Sequence, residues 1–312
     1  MIKRIHWGPA IVFFLSGLVS FIFISMAGAA ATAVASTVSD TYPLIFDRFL
    51  KSAELVDMTG DSILKTGTGI AISGKPLEKS LDRYDPKLRN QLKENLIFLL
   101  EQEIITKILA HEAQKNGFSK ENTKLEDQIS AYLSSAVKEA EVLDSEAKAF
   151  YDENKEMIGG APFEQVKDNI KSFLLKKKRQ DSVNAHITSL AEHHKIQINR
   201  QWMDTQYAIM KKNPVDKARS SGKVTMVEFG ATGCIPCDMM QPVLDSLRKK
   251  FPKVLNIEFV HVRKEQILAG RFGIQSIPVQ VFFDKTGREV FRHIGFFAEK
   301  EVLKQLNKMG VE

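Results

Sequence analysis

The 312-residue chain carries two cysteines, and they stand together as Cys234-Ile235-Pro236-Cys237. The stretch around them is restrictive. Val224 to Phe229 is a short apolar run that reads as a buried strand, Gly230 to Gly233 turns the chain, and Met239, Met240, Val243, Leu244 and Leu247 follow at helical spacing. Strand, tight turn, cysteine, helix is therefore the expected order. It sets Cys234 at a helix N-terminus, where unpaired N–H groups and the macrodipole favour an anion. The thiolate is such an anion and is the nucleophile of disulfide exchange. Two intervening residues bring Cys237 back beside Cys234, so Cys234 is expected to attack and Cys237 to resolve. A structural disulfide and half of a zinc site are the competing readings. A four-cysteine site needs a second pair that the chain lacks, and neither His261 nor His293 has ligand spacing.

Length predicts about two domains plus extras. Hydrophobic residues make up 44% of the chain, enough for a core that must stand without a disulfide framework. The net charge of +6 is mild and its basic residues are spread through helical segments, which argues against nucleic-acid binding.

Lys3, Arg4 and His6 precede an uncharged run from Pro9 to Ser39. Ala27-Gly28-Ala29 and Ala33-Val34-Ala35 fit a small-x-small processing site, and the run also exceeds the roughly 20 residues of a membrane helix. A cleaved signal peptide and a retained anchor over residues 1–39 both satisfy it. Either places the rest of the chain in the periplasm or an equivalent extracytoplasmic space.

A short helix is expected from Tyr42 to Met58, and a strand from Thr68 to Ile72 turning at Ser73-Gly74. Gly69 to Lys75 imitates a phosphate-binding loop, but Pro76 stands where Ser or Thr is needed. Asp85-Pro86 starts a helix that carries Leu88, Leu92, Leu96, Leu99, Leu100, Ile104, Ile108 and Leu109 to Gly117. Ser119, Ser145 and Pro162 open three more, and Lys195 to Ile198 alternates like a strand. Arg200 to Lys212 reads as a mixed connector, and Asn213-Pro214 caps a helix to about Ser220. The Lys176-Lys177-Lys178-Arg179 run reads as a solvated helix face.

The segments Ile70-Ala-Ile-Ser-Gly-Lys-Pro76, Ala149-Phe-Tyr-Asp-Glu-Asn154 and Ala161-Pro-Phe-Glu-Gln-Val166, with the lysine-rich helix to Ile198, resemble the N-terminal domain of SurA-type periplasmic chaperones. That family often carries parvulin isomerase modules. Here only Met157-Ile-Gly-Gly160 lies between Glu156 and Ala161, so no isomerase activity is implied. The resemblance, over about 60–200, implies a helical cradle for unfolded client polypeptide.

The rest reads β-α-β-α-β-β-α: strands at Val224–Phe229, Leu255–Val262 and Ile277–Phe283, a hairpin at Asp284–Gly287, a strand to Ile294 and a helix to Met309. Over about 205–312 this is similar to the thioredoxin family. The resemblance implies that Cys234 and Cys237 are the redox pair and that the Ile277–Pro278 bond is cis. It implies that Pro242 kinks the helix and that Gly295 flanks the substrate groove. Ile235, Pro236, Ile277, Pro278 and Gly295 form the expected substrate-binding set. Glu228 stands where the family has a buried acid, six residues before Cys234. Strand alternation sends it to the face opposite Val227 and Phe229, where burial would raise its pKa and let it take the proton of Cys237. An edge-facing Glu without a role is the alternative. Three departures stand out: Gly230 and Gly233 occupy aromatic positions, which should open the surface, and Phe259 replaces the lysine partner of the acid.

The expected architecture is a signal or anchor segment at 1–39, a mostly α-helical SurA-like domain at 40–200, a connector with the next domain's first helix at 201–222, and an α/β thioredoxin-like domain at 223–312. The expected activity is extracytoplasmic thiol–disulfide oxidoreduction, with Pro236 leaning toward the reducing members. Its substrates would be protein thiols and disulfides, a membrane protein would exchange electrons with it, and neither metal nor organic cofactor is implied. Two rival readings are a chaperone that uses the thioredoxin module as a docking surface, and an electron carrier dedicated to one partner.

Overall fold

A computed structural model describes residues 36–312, apart from 46, 47, 138, 139, 154, 156, 157 and 159. The uncharged N-terminal run lies outside the described residues up to position 35. At the start of the described residues Thr37 caps the first helix and bridges to Glu54. Among the described residues no helix is long and apolar enough to cross a membrane.

Helices α1 (Val38–Thr41), α2 (Gly74–Lys79), α3 (Pro86–Lys93), α4 (Leu96–Lys115), α5 (Leu125–Ala136), α6 (Asp144–Glu153), α7 (Phe163–His193) and α8 (Arg200–Met210) build the first part. Strands β1 (Glu54–Val56), β2 (Ser62–Lys65), β3 (Ala71–Ser73) and β4 (Gln197–Asn199) form a small sheet in the order β1-β4-β2-β3. Asp85 caps α3 as expected, its carboxylate accepting from the N–H groups of Lys87 and Leu88. Leu99, Leu100, Ile104 and Ile108 of α4 are fully or almost fully buried, beside Leu50, Leu64, Ile198 and Met203.

Five details differ from the sequence expectation. The strand expected from Thr68 to Ile72 is the shorter β3, and Ser73-Gly74 leads straight into α2 instead of a turn. Tyr42 to Met58 is not one helix but two 3-10 turns followed by β1. The helix expected from Pro86 to Gly117 breaks at Glu94-Asn95, where Asn95 leaves helical geometry and its side chain donates to the Gln91 carbonyl. Ser119 caps nothing; α5 begins at Leu125 with Glu126 and Asp127 in its first turn. Arg200 to Met210 is a helix, capped by the Asn199 side chain, and it sends Met203, Tyr207 and Met210 into the first core.

The second part runs α9 (Pro214–Arg219), β5 (Val224–Gly230), α10 (Ile235–Lys250), β6 (Leu255–His261), α11 (Gln266–Arg271), β7 (Val279–Phe283), β8 (Glu289–Ile294) and α12 (Glu299–Lys308). The sheet order is β6-β5-β7-β8, with β5 and β6 parallel and the other pairs antiparallel. Every residue of β5 is buried, as a central strand covered on both faces must be. Val224 and Met226 face α10 and α12 with Phe282, while Val227 and Phe229 face α11 with Val260 and Val281.

Polar contacts tie the two parts together at the α3/α4 break. Gln91 donates to the Lys264 carbonyl (2.6 Å) and accepts from the Ile267 N–H (3.1 Å). Asn95 accepts from Arg271 (3.0 Å). Arg271 also pairs with the fully buried Asp216, which holds Arg219 on its other oxygen (2.8 and 3.0 Å). Arg48, paired with Glu101, donates to the Arg271 carbonyl. The break that periodicity could not show is thus where the first part grips α11.

Candidate active site

Cys234 is the N-cap of α10, and Pro236 occupies the first turn, where a missing N–H costs nothing. The Asp238 N–H closes that turn onto the Cys234 carbonyl at 2.9 Å. Cys234 and Cys237 are joined by a disulfide, with Cα atoms 5.2 Å apart. The two sulfurs are unequal: Cys234 is half-buried while Cys237 is buried. A partner's disulfide can therefore reach Cys234 but not Cys237. A thiolate at Cys234 would face the free N–H groups of the α10 N-terminus.

The approach is lined by the residues expected from the sequence. The Ile277–Pro278 bond is cis. Pro278 is buried, Ile277 half-buried, and the Pro278 carbonyl accepts from the Gly295 N–H at 2.8 Å, fixing β8 beside the loop that precedes β7. Gly295 takes a φ of +101°, which other residues rarely adopt. Ile235 stands 77% exposed on the outer side of the cysteines, and Met239 is exposed one turn on. The rim is apolar.

The two glycines at expected aromatic positions behave differently. Gly233 has a φ of +77° and open space around it. At Gly230, by contrast, the surface is not opened: a Cβ there would lie 3.0 Å from the Phe259 ring and 3.4 Å from the Cys237 Cβ. Phe259 reaches over from β6 and fills the site. It remains 39% exposed, so it adds to the apolar rim.

Glu228 is fully buried on the α10 face, and it has no cation beside it in the sheet. Its neighbour on β6 is Phe259 and its neighbour on β7 is Gln280. Gln280 donates to one carboxyl oxygen at 2.8 Å; the other oxygen is buried without a partner among the described residues. Desolvation pushes the Glu228 pKa up to about 8, and the Gln280 hydrogen bond recovers only part of that cost. The group is therefore mostly neutral near pH 7, yet close enough to its pKa to give or take a proton.

Sequence reasoning missed the part played by three residues here, and it weighed two of them, His261 and His293, only as metal ligands. Gln280 could have been found by pairing the strands, since it lies opposite Glu228. His293 is opposite Gln280 on β8, stacks on Phe297 at 4.1 Å and is held below the usual histidine range by burial. His261, weighed only as a metal ligand, accepts from the Thr232 N–H at 3.3 Å and so steadies the loop before Cys234. Among the described residues no group of three or more His, Cys, Asp or Glu could hold a metal ion.

Comparison of the sequence with known proteins finds relatives for the second part. The model of the thioredoxin-like domain matches residues 212–310. Thioredoxin H4 of Arabidopsis thaliana is 37% identical over 97 residues, 31% of this chain and 81% of that protein. Thioredoxin of Bacillus subtilis (strain 168) is 36% identical over 89 residues, 28% of this chain and 84% of that one. A solved structure, thioredoxin NaTrxh from Nicotiana alata, overlaps with a TM-score of 0.28 and 29% identity, over 30% of this chain and 80% of its own. Through residues 212–310, the chain belongs to the thioredoxin family.

Proposed function

We infer that this protein is an extracytoplasmic reductase of protein disulfides. Thiol–disulfide oxidoreductase activity in general follows from its family, which works with a redox-active disulfide and no external cofactor. One observation carries the reading for this chain: an accessible Cys234 at a helix N-terminus is bonded to a buried Cys237, with Glu228, raised close to neutral pH by burial, on the α10 side of β5.

In the reduced protein the Cys234 thiolate attacks one sulfur of a substrate disulfide. A mixed disulfide forms and the first substrate thiolate leaves. Cys237 then attacks Cys234, its proton passing to Glu228 in the fraction of molecules whose carboxyl is ionised, a fraction that grows as pH approaches 8. The second substrate thiolate departs, and two electrons have moved to the substrate. An external dithiol reverses the steps and Glu228 returns the proton. Pro278, Ile277 and Gly295 line the approach, with Ile235 and Pro236 beside the attacking sulfur. Pro236 supports the reducing direction. Lys3, Arg4 and the uncharged run to Ser39 support export, and an exported reductase needs electrons from a membrane partner.

The SurA-like reading of the helical part has its own support. A groove of about 790 Å³ runs between α4, α5 and α7, with Leu109, Ile129, Leu133 and the exposed Leu125 along it and Lys176 and Arg179 at its rim. An unfolded client's apolar side chains fit such a surface.

Insulin reduction with dithiothreitol as electron source tests the chemistry. Cys234→Ser should abolish catalysis, and Cys237→Ser should accumulate a mixed disulfide through Cys234. Full activity without Cys234 would refute the reading. Labelling of Cys234 in reduced intact cells by a membrane-impermeant alkylating agent tests the compartment; protection until lysis would place it inside.

A further inference from the structure

β6 is an edge strand. Among the described residues its one sheet neighbour is β5, and the sheet order ends there. In a parallel pair, alternate residues turn both backbone groups toward the neighbour. The Val262 N–H donates to the Gly230 carbonyl at 2.9 Å, which sets the phase: Glu258 and Val260 face β5, and Ile257 and Phe259 face away. Among the described residues the N–H and C=O groups of Ile257 and Phe259 have no hydrogen-bond partner. An open edge of this kind is a template for another extended chain.

The edge is not open on all sides. Its later half, Glu258 to His261, forms one wall of a groove of about 640 Å³ that Ile209, Lys212, Asn213 and Glu94 also line; Ile257 lies just before that stretch. A second copy presenting its own β6 would bring its own α8 wall into the same space. The groove also leads to the redox pair. Its far end is His261, which holds Thr232 two residues before Cys234, and the Phe259 side chain lies over Gly230 beside Cys237.

We propose that the β6 edge binds an extended segment of the substrate polypeptide as an additional strand, aligning the substrate's disulfide with Cys234. This rests on the reading of Cys234 and Cys237 as a redox pair for polypeptide disulfides. The recognition is of main chain, so it selects unfolded or extended chains rather than a side-chain sequence. It gives the thioredoxin-like part a polypeptide site of its own, separate from the α4/α5/α7 groove.

Proline is the substitution that isolates the effect. At Ile257 it removes an outward N–H and leaves the β5 ladder intact, which an edge strand tolerates. Ile257→Ala loses the same side chain and keeps the N–H. The full-length protein and both variants are assayed on insulin and on 5,5′-dithiobis(2-nitrobenzoic acid), which has no peptide backbone. The expected result is a KM for insulin about tenfold higher in Ile257→Pro than in Ile257→Ala, with equal rates on the small disulfide. Equal insulin KM values in the two variants would overturn the proposal. Loss of small-disulfide turnover in the wild-type chain would instead refute the redox reading on which it rests. A second measurement stands whether or not the proline variant folds. In the Cys237→Ser protein trapped with insulin, the Ile257 and Phe259 amides should exchange with solvent at least about tenfold more slowly than in the free protein. Unchanged exchange would overturn the proposal. So would protection that appears without insulin and rises with protein concentration, since the occupant would then be a second copy.

Discussion

Glu228 on β5 accepts a 2.8 Å hydrogen bond from Gln280 on β7, and across its other side, on β6, stands Phe259 in place of a cation. The acid is thus held by one neutral donor and charged by nothing. Its chemistry follows from that placement, and so do the first two predictions.

Burial raises Glu228 from an ordinary value of 4.5 to about 8. The folded protein therefore keeps a proton that the unfolded chain releases. Stability from this group is fully present below pH 4.5 and is lost as pH rises to about 8, at up to about 1.4 kcal/mol per pH unit. Above that the dependence ends. Glu228→Gln should flatten this slope. Urea midpoints of the oxidised protein at pH 5, 6.5 and 8 check it; parallel profiles for the two proteins would contradict the placement.

Phe259→Lys sets a cation opposite the carboxyl. The attraction favours the charged form and should lower the Glu228 pKa by about one unit or more. Carboxyl carbon shifts in a titration of the oxidised protein report it directly. A value that stays near 8 would mean that the lysine turns to solvent.

Asp216 carries two buried arginines, Arg219 and Arg271. Asp216→Asn leaves both cations without their counter-charge and should destabilise the fold by about 3–5 kcal/mol. Chemical denaturation measures the loss. The reduction potential of the remaining folded protein should not change, because the network lies on the far side of the sheet from α10.

The second part of the chain was readable because its signals are strong and local. Val224 to Phe229 is apolar except at Thr225 and Glu228, the cysteines mark the start of α10, and Asp284 to Gly287 marks the hairpin. Glu228 was legible as a buried acid because a central strand has no exposed face. Gln280 was not, since its meaning comes only from register with Glu228, a contact across 52 positions of sequence. Phe259 was read as a lost lysine; that it also replaces the ring missing at Gly230 needed the pairing of β5 and β6.

The first part was harder for physical reasons. Strands β1, β3 and β4 have three residues each, too few for an alternation to show. The break at Asn95 is set by Gln91 and Arg271, one of them 176 residues away, and the apolar spacing runs straight through it. α8 was the avoidable miss: Asn199 before Trp202, with Met203, Tyr207 and Met210 at helical spacing, is a capped helix in plain view.

The most direct test of the account is the equilibrium reduction potential of the Cys234–Cys237 pair, taken against a dithiothreitol series. A reductase predicts a value near thioredoxin's own, about −270 mV. A value near about −120 mV would contradict it and mark a protein that installs disulfides.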